Sequence, residues 1–286
     1  MLTESLIRVC ADPVVDLLVA QSAGPADQAL LVLHGGPDWD HTYLVEPLSD
    51  LGGRYRLVMP DLRGCGGSTR GLADDQYTPD AAVDDLITLL DRLSLPKVDL
   101  LGFSYGGLLA QRLTLAAPDR VRRLIVASSS IYPVPDDAFG DWPERDERLA
   151  AEAGVWEDPS IDPADLARVA AIATARANVW REAELPAYLE RISAMRFSAE
   201  WLKPWQKGTL PSARPPNAAA RLAELGVPIL LLHGAQDMTF PVDLARRAAG
   251  EIPAASAVVL EEAGHMTHVD QPDQWLLAVD RFLAAP

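Results

Sequence analysis

A serine set between two glycines is the feature of this sequence best suited to chemistry. Gly102-Phe103-Ser104-Tyr105-Gly106-Gly107 directly follows an apolar run and directly precedes a stretch of helical period. G-x-S-x-G between a strand and a helix is the pattern of a sharp turn that presents a nucleophilic hydroxyl. The glycines remove side chains that would collide in so tight a turn. The helix behind it aims its N-terminal N–H groups at the same point, where they favour a developing oxyanion. A hydroxyl is a weak nucleophile until a base takes its proton and an acid orients the base. One late apolar run ends in His233-Gly234-Ala235-Gln236-Asp237, and the last one is followed by Glu262-Ala263-Gly264-His265. Groups just past strand ends converge at the carboxyl edge of a parallel sheet, so Ser104, Asp237 and His265 read as nucleophile, acid and base. His268 is the competing base. Glu261 and Glu262 lie too close to His265 along the chain to reach it from across a cleft. His34 and His41 read as structural or pocket-lining, and His233 as a buried, hydrogen-bonded histidine.

A second pattern, Leu33-His34-Gly35-Gly36-Pro37, ends an early apolar run. Its glycines let backbone N–H groups approach a substrate oxyanion. Gly36, with Gly35 as the alternative, would share that duty with the N–H of Tyr105. Asp61-Leu62-Arg63-Gly64-Cys65-Gly66-Gly67-Ser68 reads as a structural turn whose Asp61 and Arg63 pair with each other or with backbone.

Positioning these groups requires alternating strands and helices. Ser5–Ala11 and Asp16–Gln21 look like an antiparallel pair; Ala29–Leu33, Arg54–Met59, Val98–Phe103, Val121–Ser128, Pro228–Leu232 and Ala257–Glu261 are further strands. Helices are expected over Tyr77–Leu93, with Thr78 as N-cap and Pro79 at its first position, and over Tyr105–Ala117, Val242–Ile252 and Gln274–Leu283. This alternation implies an α/β domain with a mostly parallel sheet. Residues 133–217 break the rhythm: they are rich in proline, acidic residues and tryptophan, with helical stretches over Pro163–Ala177 and Ala183–Met195. They read as a helical lid inserted between 1–132 and 218–286, with Pro211–Pro216 leading back. Trp142, Trp156, Trp180, Trp201 and Trp205 all fall there, with Phe139, Tyr188 and Phe197. That is too much aromatic surface to leave in water, so much of it is expected to pack on the mouth of the site.

Twenty-five basic against 41 acidic residues give 25 − 41 = −16 over 286 residues. Such a balance argues against nucleic acid as a partner, because phosphates are neutralised by clustered Lys and Arg. No apolar run approaches the length of a membrane span. The N-terminal MLTESLIRVC lacks a basic start and reads as a strand, not a secretory signal. Cys10 and Cys65 form no metal-ligand spacing and read as free thiols of a cytoplasmic protein.

Together these motifs resemble the α/β-hydrolase superfamily over essentially the whole chain. Within it, His34-Gly35-Gly36-Pro37 and the Asp61–Ser68 stretch are similar to the H-G-G-P-G and D-x-R-G-x-G-x-S motifs of the proline iminopeptidase branch. The resemblance implies an α/β-hydrolase fold: a mostly parallel eight-stranded sheet flanked by helices, with a helical cap. It also implies cofactor-free, metal-free release of N-terminal residues from short peptides or amides. It carries the catalytic roles to Ser104, Asp237 and His265, and the oxyanion hole to Gly36 and Tyr105. The branch holds the substrate ammonium with cap carboxylates, for which Glu182, Glu184, Glu190 and Glu200 are candidates; Asp38, Trp180 and Glu182 are the expected substrate contacts. Two positions depart from the branch: Asp38 replaces its glycine, and the elbow reads G-F-S-Y-G-G, a form shared with many esterases. A carboxylesterase or lactonase acting on small molecules is therefore the alternative, and a small-ligand receptor retaining the triad is the reading from another class.

Overall fold

A computed structural model describes residues 1–140 and 142–285. Eight strands form one sheet in the order β1-β2-β4-β3-β5-β6-β7-β8. They are β1 (Thr3–Ala11), β2 (Val14–Gln21), β3 (Ala29–Leu33), β4 (Arg56–Pro60), β5 (Val98–Phe103), β6 (Val121–Ala127), β7 (Ile229–Gly234) and β8 (Ala255–Leu260). β1 and β2 pair antiparallel, β2 meets β4 antiparallel, and every other pairing is parallel. This is the mixed, mostly parallel sheet that the alternation of elements implies.

The apolar runs explain why these segments are central strands. In β3 every residue is buried: Ala29, Leu31 and Leu33 enter one core, and Leu30 and Val32 the other. Successive side chains point to opposite faces, so a strand covered on both sides must be apolar throughout. Helices α1 (Val45–Leu48), α2 (Pro79–Arg92) and α3 (Tyr105–Ala116) precede the insertion. α2 starts as the sequence implies, with the Ala81 N–H donating to Thr78 Oγ1 at 3.2 Å and Pro79 at the first position.

Between β6 and β7 lie α4 (Pro143–Leu149), α5 (Leu166–Ala173), α6 (Ala175–Asn178), α7 (Leu185–Ala194), α8 (Leu202–Gln206) and α9 (Ala218–Leu225). The single helix expected over 163–177 is two, broken at Thr174, whose hydroxyl bonds back to the Ala170 carbonyl at 2.9 Å. Helices α10 (Val242–Glu251), α11 (Thr267–Asp270) and α12 (Pro272–Ala284) complete the chain. Leu86, Leu109, Leu222 and Ala248, from α2, α3, α9 and α10, fill the core on one face of the sheet. Trp275 and Val279 of α12 fill the other, together with Val179, Tyr188 and Ile192 of the insertion. Among the described residues no helix is long and apolar enough to cross a membrane, and no cluster of ligands suits a metal ion.

Candidate active site

Ser104 stands at the junction of β5 and α3 with φ 53° and ψ −119°, a strained backbone for a residue with a side chain. A Cβ on Gly102 would lie 2.2 Å from the Gly106 carbonyl oxygen, and one on Gly106 would lie 2.3 Å from that of Leu33. Both neighbours of the turn must therefore be glycine. Ser104 Oγ is 3.0 Å from Nε2 of His265, on the loop after β8. The other ring nitrogen, Nδ1, faces both oxygens of Asp237 at 3.0 and 3.2 Å. A nitrogen opposite a carboxylate carries the proton, which leaves Nε2 free to accept from the serine hydroxyl.

Asp237 is held by four groups. The Thr239 and Phe240 amides donate to Oδ1 at 2.8 and 2.9 Å, and a second imidazole, His233 Nε2, lies 3.2 Å from Oδ2. Burial works to raise the Asp237 pKa. The charge of His265 and the hydrogen bonds from both imidazoles outweigh it and hold the carboxyl well below the usual range. His233 Nε2 also donates to the Phe240 carbonyl at 2.8 Å, so its tautomer is set. His268 does not reach Ser104. It is buried against Phe103, Tyr43 and Trp275, and burial pushes its pKa down to about 3.

The geometry separates the two loop glycines. The Gly35 N–H is committed to the Tyr43 hydroxyl at 2.7 Å. The N–H groups of Gly36 and Tyr105 have no acceptor among the described residues, and both residues line the cavity over Ser104. Gly36 has φ +106°, open only to glycine at little cost. His34 braces this turn: Nδ1 meets the Gly35 carbonyl at 2.7 Å, and Nε2 accepts the Leu62 N–H at 3.0 Å. Asp61 and Arg63 do not pair with each other. Asp61 takes His41 Nδ1 at 2.7 Å and the Gly67 N–H at 2.8 Å, while Arg63 forks onto both oxygens of Asp85 at 2.6 Å.

A cavity of about 670 Å³ opens above Ser104. Trp156, Trp201 and Trp205 of the insertion line it, together with Arg145, Leu149 and Met238, which the sequence reading did not single out. Of the expected substrate contacts, only Asp38 reaches this wall, and its carboxylate is spent within the protein. Ser198 Oγ donates to it at 2.7 Å, and the Trp201 and Leu202 amides at 3.1 and 2.9 Å. Trp180 lies under the Arg148 guanidinium at 4.4 Å, with its backbone N–H on Asp270, and does not line the cavity. Glu182 is exposed and pairs with Arg176. Both were expected from the resemblance to the iminopeptidase branch, and in so irregular a stretch no periodicity fixes which way a side chain faces. Of the other cap glutamates, Glu200 bonds Tyr77 and Lys203.

The model of the alpha/beta hydrolase fold matches residues 28–272. The chain belongs to the α/β-hydrolase family. It is 30% identical over 264 residues to a 2-hydroxymuconate semialdehyde hydrolase of Pseudomonas sp. strain CF600, covering 89% of this chain and 86% of that protein. It is 26% identical to a proline iminopeptidase of Lacticaseibacillus rhamnosus, covering 91% of each. Among solved structures, a thermophilic esterase from Thermogutta terrifontis superposes with a TM-score of 0.73 at 26% identity, covering 99% of this chain and 98% of that one. This α/β-hydrolase is a hydrolase, and its relatives carry diverse names, among them 2-hydroxymuconate semialdehyde hydrolase, carbamate hydrolase, proline iminopeptidase, epoxide hydrolase and esterase.

Proposed function

We propose that this chain is a serine hydrolase that cleaves small carboxylic esters through an acyl-enzyme. The observation that carries the reading is the unbroken hydrogen-bonded chain Ser104–His265–Asp237 at the floor of a largely apolar cavity. Ser104 Oγ attacks the ester carbonyl while His265 Nε2 takes its proton. Asp237 fixes the tautomer and stabilises the imidazolium. The Gly36 and Tyr105 N–H groups, backed by the start of α3, hold the oxyanion. His265 then returns the proton to the departing alkoxide, and water releases the acyl group by the same steps in reverse. Residues 133–217 serve as the cap that walls the substrate site.

Release of N-terminal residues from peptides is the second reading, supported by the H-G-G-P turn and by relatives named proline iminopeptidases. It needs an open carboxylate for the substrate ammonium. Against it, Asp38 is saturated and Glu182 points elsewhere; Glu152 gives one oxygen to Trp156 Nε1 at 2.8 Å. A receptor-like role would leave the hydrogen-bonded triad without a use. Labelling by a fluorophosphonate probe should vanish in Ser104→Ala, and 4-nitrophenyl butyrate should turn over faster than prolyl 4-nitroanilide. Labelling of another serine would overturn the nucleophile assignment; faster anilide cleavage would restore the peptidase reading, and binding without repeated turnover the receptor.

A further inference from the structure

One arginine stands on the cavity wall of this acidic chain. The molecule carries a net −16, and the two carboxylates on the cavity wall accept protein donors: Asp38 from three groups of residues 198–202, and Glu152, through one oxygen, from the Trp156 indole. Arg145, on α4, is the cation on that wall. Its Nε donates to the Met238 carbonyl at 3.0 Å, and its Cζ lies 4.2 Å from the Phe139 ring centre. Those two contacts fix the plane of the guanidinium and leave both terminal nitrogens without a protein acceptor among the described residues. Other arginines of the insertion behave differently. Arg148, Arg168, Arg176, Arg181, Arg191 and Arg196 each reach a carboxylate within 4 Å. Arg214 also lacks one, but it does not line the cavity.

We propose that the substrate carries a carboxylate and that Arg145 is the residue that binds it, an inference that rests on the esterase reading above. A half-buried guanidinium held by its Nε offers a rigid two-pronged donor, the geometry that suits a carboxylate best. Its Met238 anchor adjoins Asp237, so the anion binds on the acid side of Ser104. The rest of the wall is largely apolar, with Thr174, Asn178 and Thr239 among its polar side chains. Leu149 follows Arg145 by one helical turn on the same face, and the exposed Trp156 and Trp205 pack 5.6 Å apart at another part of the lining. The ligand class is an ester with an apolar body and one anionic end.

Two esters with five-carbon acyl chains, 4-nitrophenyl hydrogen glutarate and 4-nitrophenyl pentanoate, compare a charged with an apolar chain end. A charge-assisted pair of this kind favours the anionic ester by about tenfold to a hundredfold in kcat/KM, expressed mainly in KM. The ratio should fall with salt, shrink to about threefold or less in Arg145→Gln, and recover in part in Arg145→Lys. A general loss of activity cancels in the ratio. Absence of the preference in the wild-type protein, or an unchanged ratio in a folded Arg145→Gln, overturns the inference. Calorimetric binding of both esters to Ser104→Ala reads the same preference without turnover. A preference there in an enzyme that hydrolyses neither ester would overturn the esterase reading alone, and equal binding would overturn this one alone.

Discussion

Asp38 offers the sharpest test of what the polar groups around this site are for. It has φ 70°, in the left-handed region that favours glycine and that Asp and Asn tolerate better than other residues. Its carboxylate receives Ser198 Oγ and the Trp201 and Leu202 amides, its carbonyl receives the Ser198 N–H at 2.9 Å, and only 3% of the residue is exposed. Burial raises its pKa against the pull of these donors. Asp38→Asn keeps the backbone preference and one oxygen, enough for the Ser198 and Trp201 donors, but turns an amide N–H toward that of Leu202. One buried N–H loses its partner at about 1–3 kcal/mol, and two charge-assisted bonds become neutral ones at up to about 1 kcal/mol each. The expected loss is about 1–5 kcal/mol. Asp38→Gly relaxes φ by about 1 kcal/mol but orphans all three donors, so it should be no more stable than the asparagine variant. Urea unfolding gives the free energies, and limited proteolysis reports whether cleavage begins within 133–217. A loss below 1 kcal/mol in Asp38→Asn, or a glycine variant as stable as wild type, would refute the clasp and return Asp38 to the substrate.

Asp237→Asn should lower kcat by about 10⁴-fold without unfolding the chain, the scale seen when a triad acid loses its charge and the imidazole its tautomer; near-normal turnover would mean that another carboxylate orients His265. Replacing His233 by leucine removes the second imidazole from Asp237 and leaves the Phe240 carbonyl without its donor. A stability loss of about 1–3 kcal/mol is expected, partly restored by His233→Gln, and equal stability of wild type and leucine variant would rule the contact out as a support. For His268, burial sets the folded pKa near 3 against an ordinary 6.5. The unfolded chain takes up the proton first as pH falls, so stability is full above about 6.5 and is lost on descent toward 3 at up to about 1.4 kcal/mol per pH unit. Wild type should therefore lose about 2 kcal/mol relative to His268→Phe between pH 7 and pH 5 in urea titrations; a constant difference would contradict the burial.

Sequence made the scaffold readable where burial leaves few options. β3 is apolar at every position, and β5 carries no polar side chain but Asp99, because both faces of the sheet are covered, and their ends agree with the expected ones to the residue. Ser104, Asp237 and His265 were visible as a set because each follows such a run. The choice between Gly35 and Gly36 was not, since it depends on the Tyr43 hydroxyl eight residues away. Arg63 finds Asp85 rather than Asp61, and here a signal existed. Asp85 lies on the stripe of Ala82, Leu86 and Leu89, where a carboxylate needs a buried partner. Within the insertion, short and broken helices give no long period, so the inward turn of Arg145 and the outward turn of Glu182 required the folded chain.

Asp270 repeats at the His265 loop what Asp38 does at the Gly36 loop. It receives the Gly264 N–H at 2.8 Å from the His265 loop and the Trp180 and Arg181 amides at 3.0 and 2.9 Å from the insertion. Asn178 adds a carbonyl for the Met266 N–H at 2.8 Å. Residues 133–217 are thus sewn to the loops of Gly36 and His265, and on the esterase reading proposed above they are not a portable module. A chimera that borrows residues 133–217 must bring Asp38 and Asp270 with it, and directed evolution confined to the insertion will change rate along with selectivity.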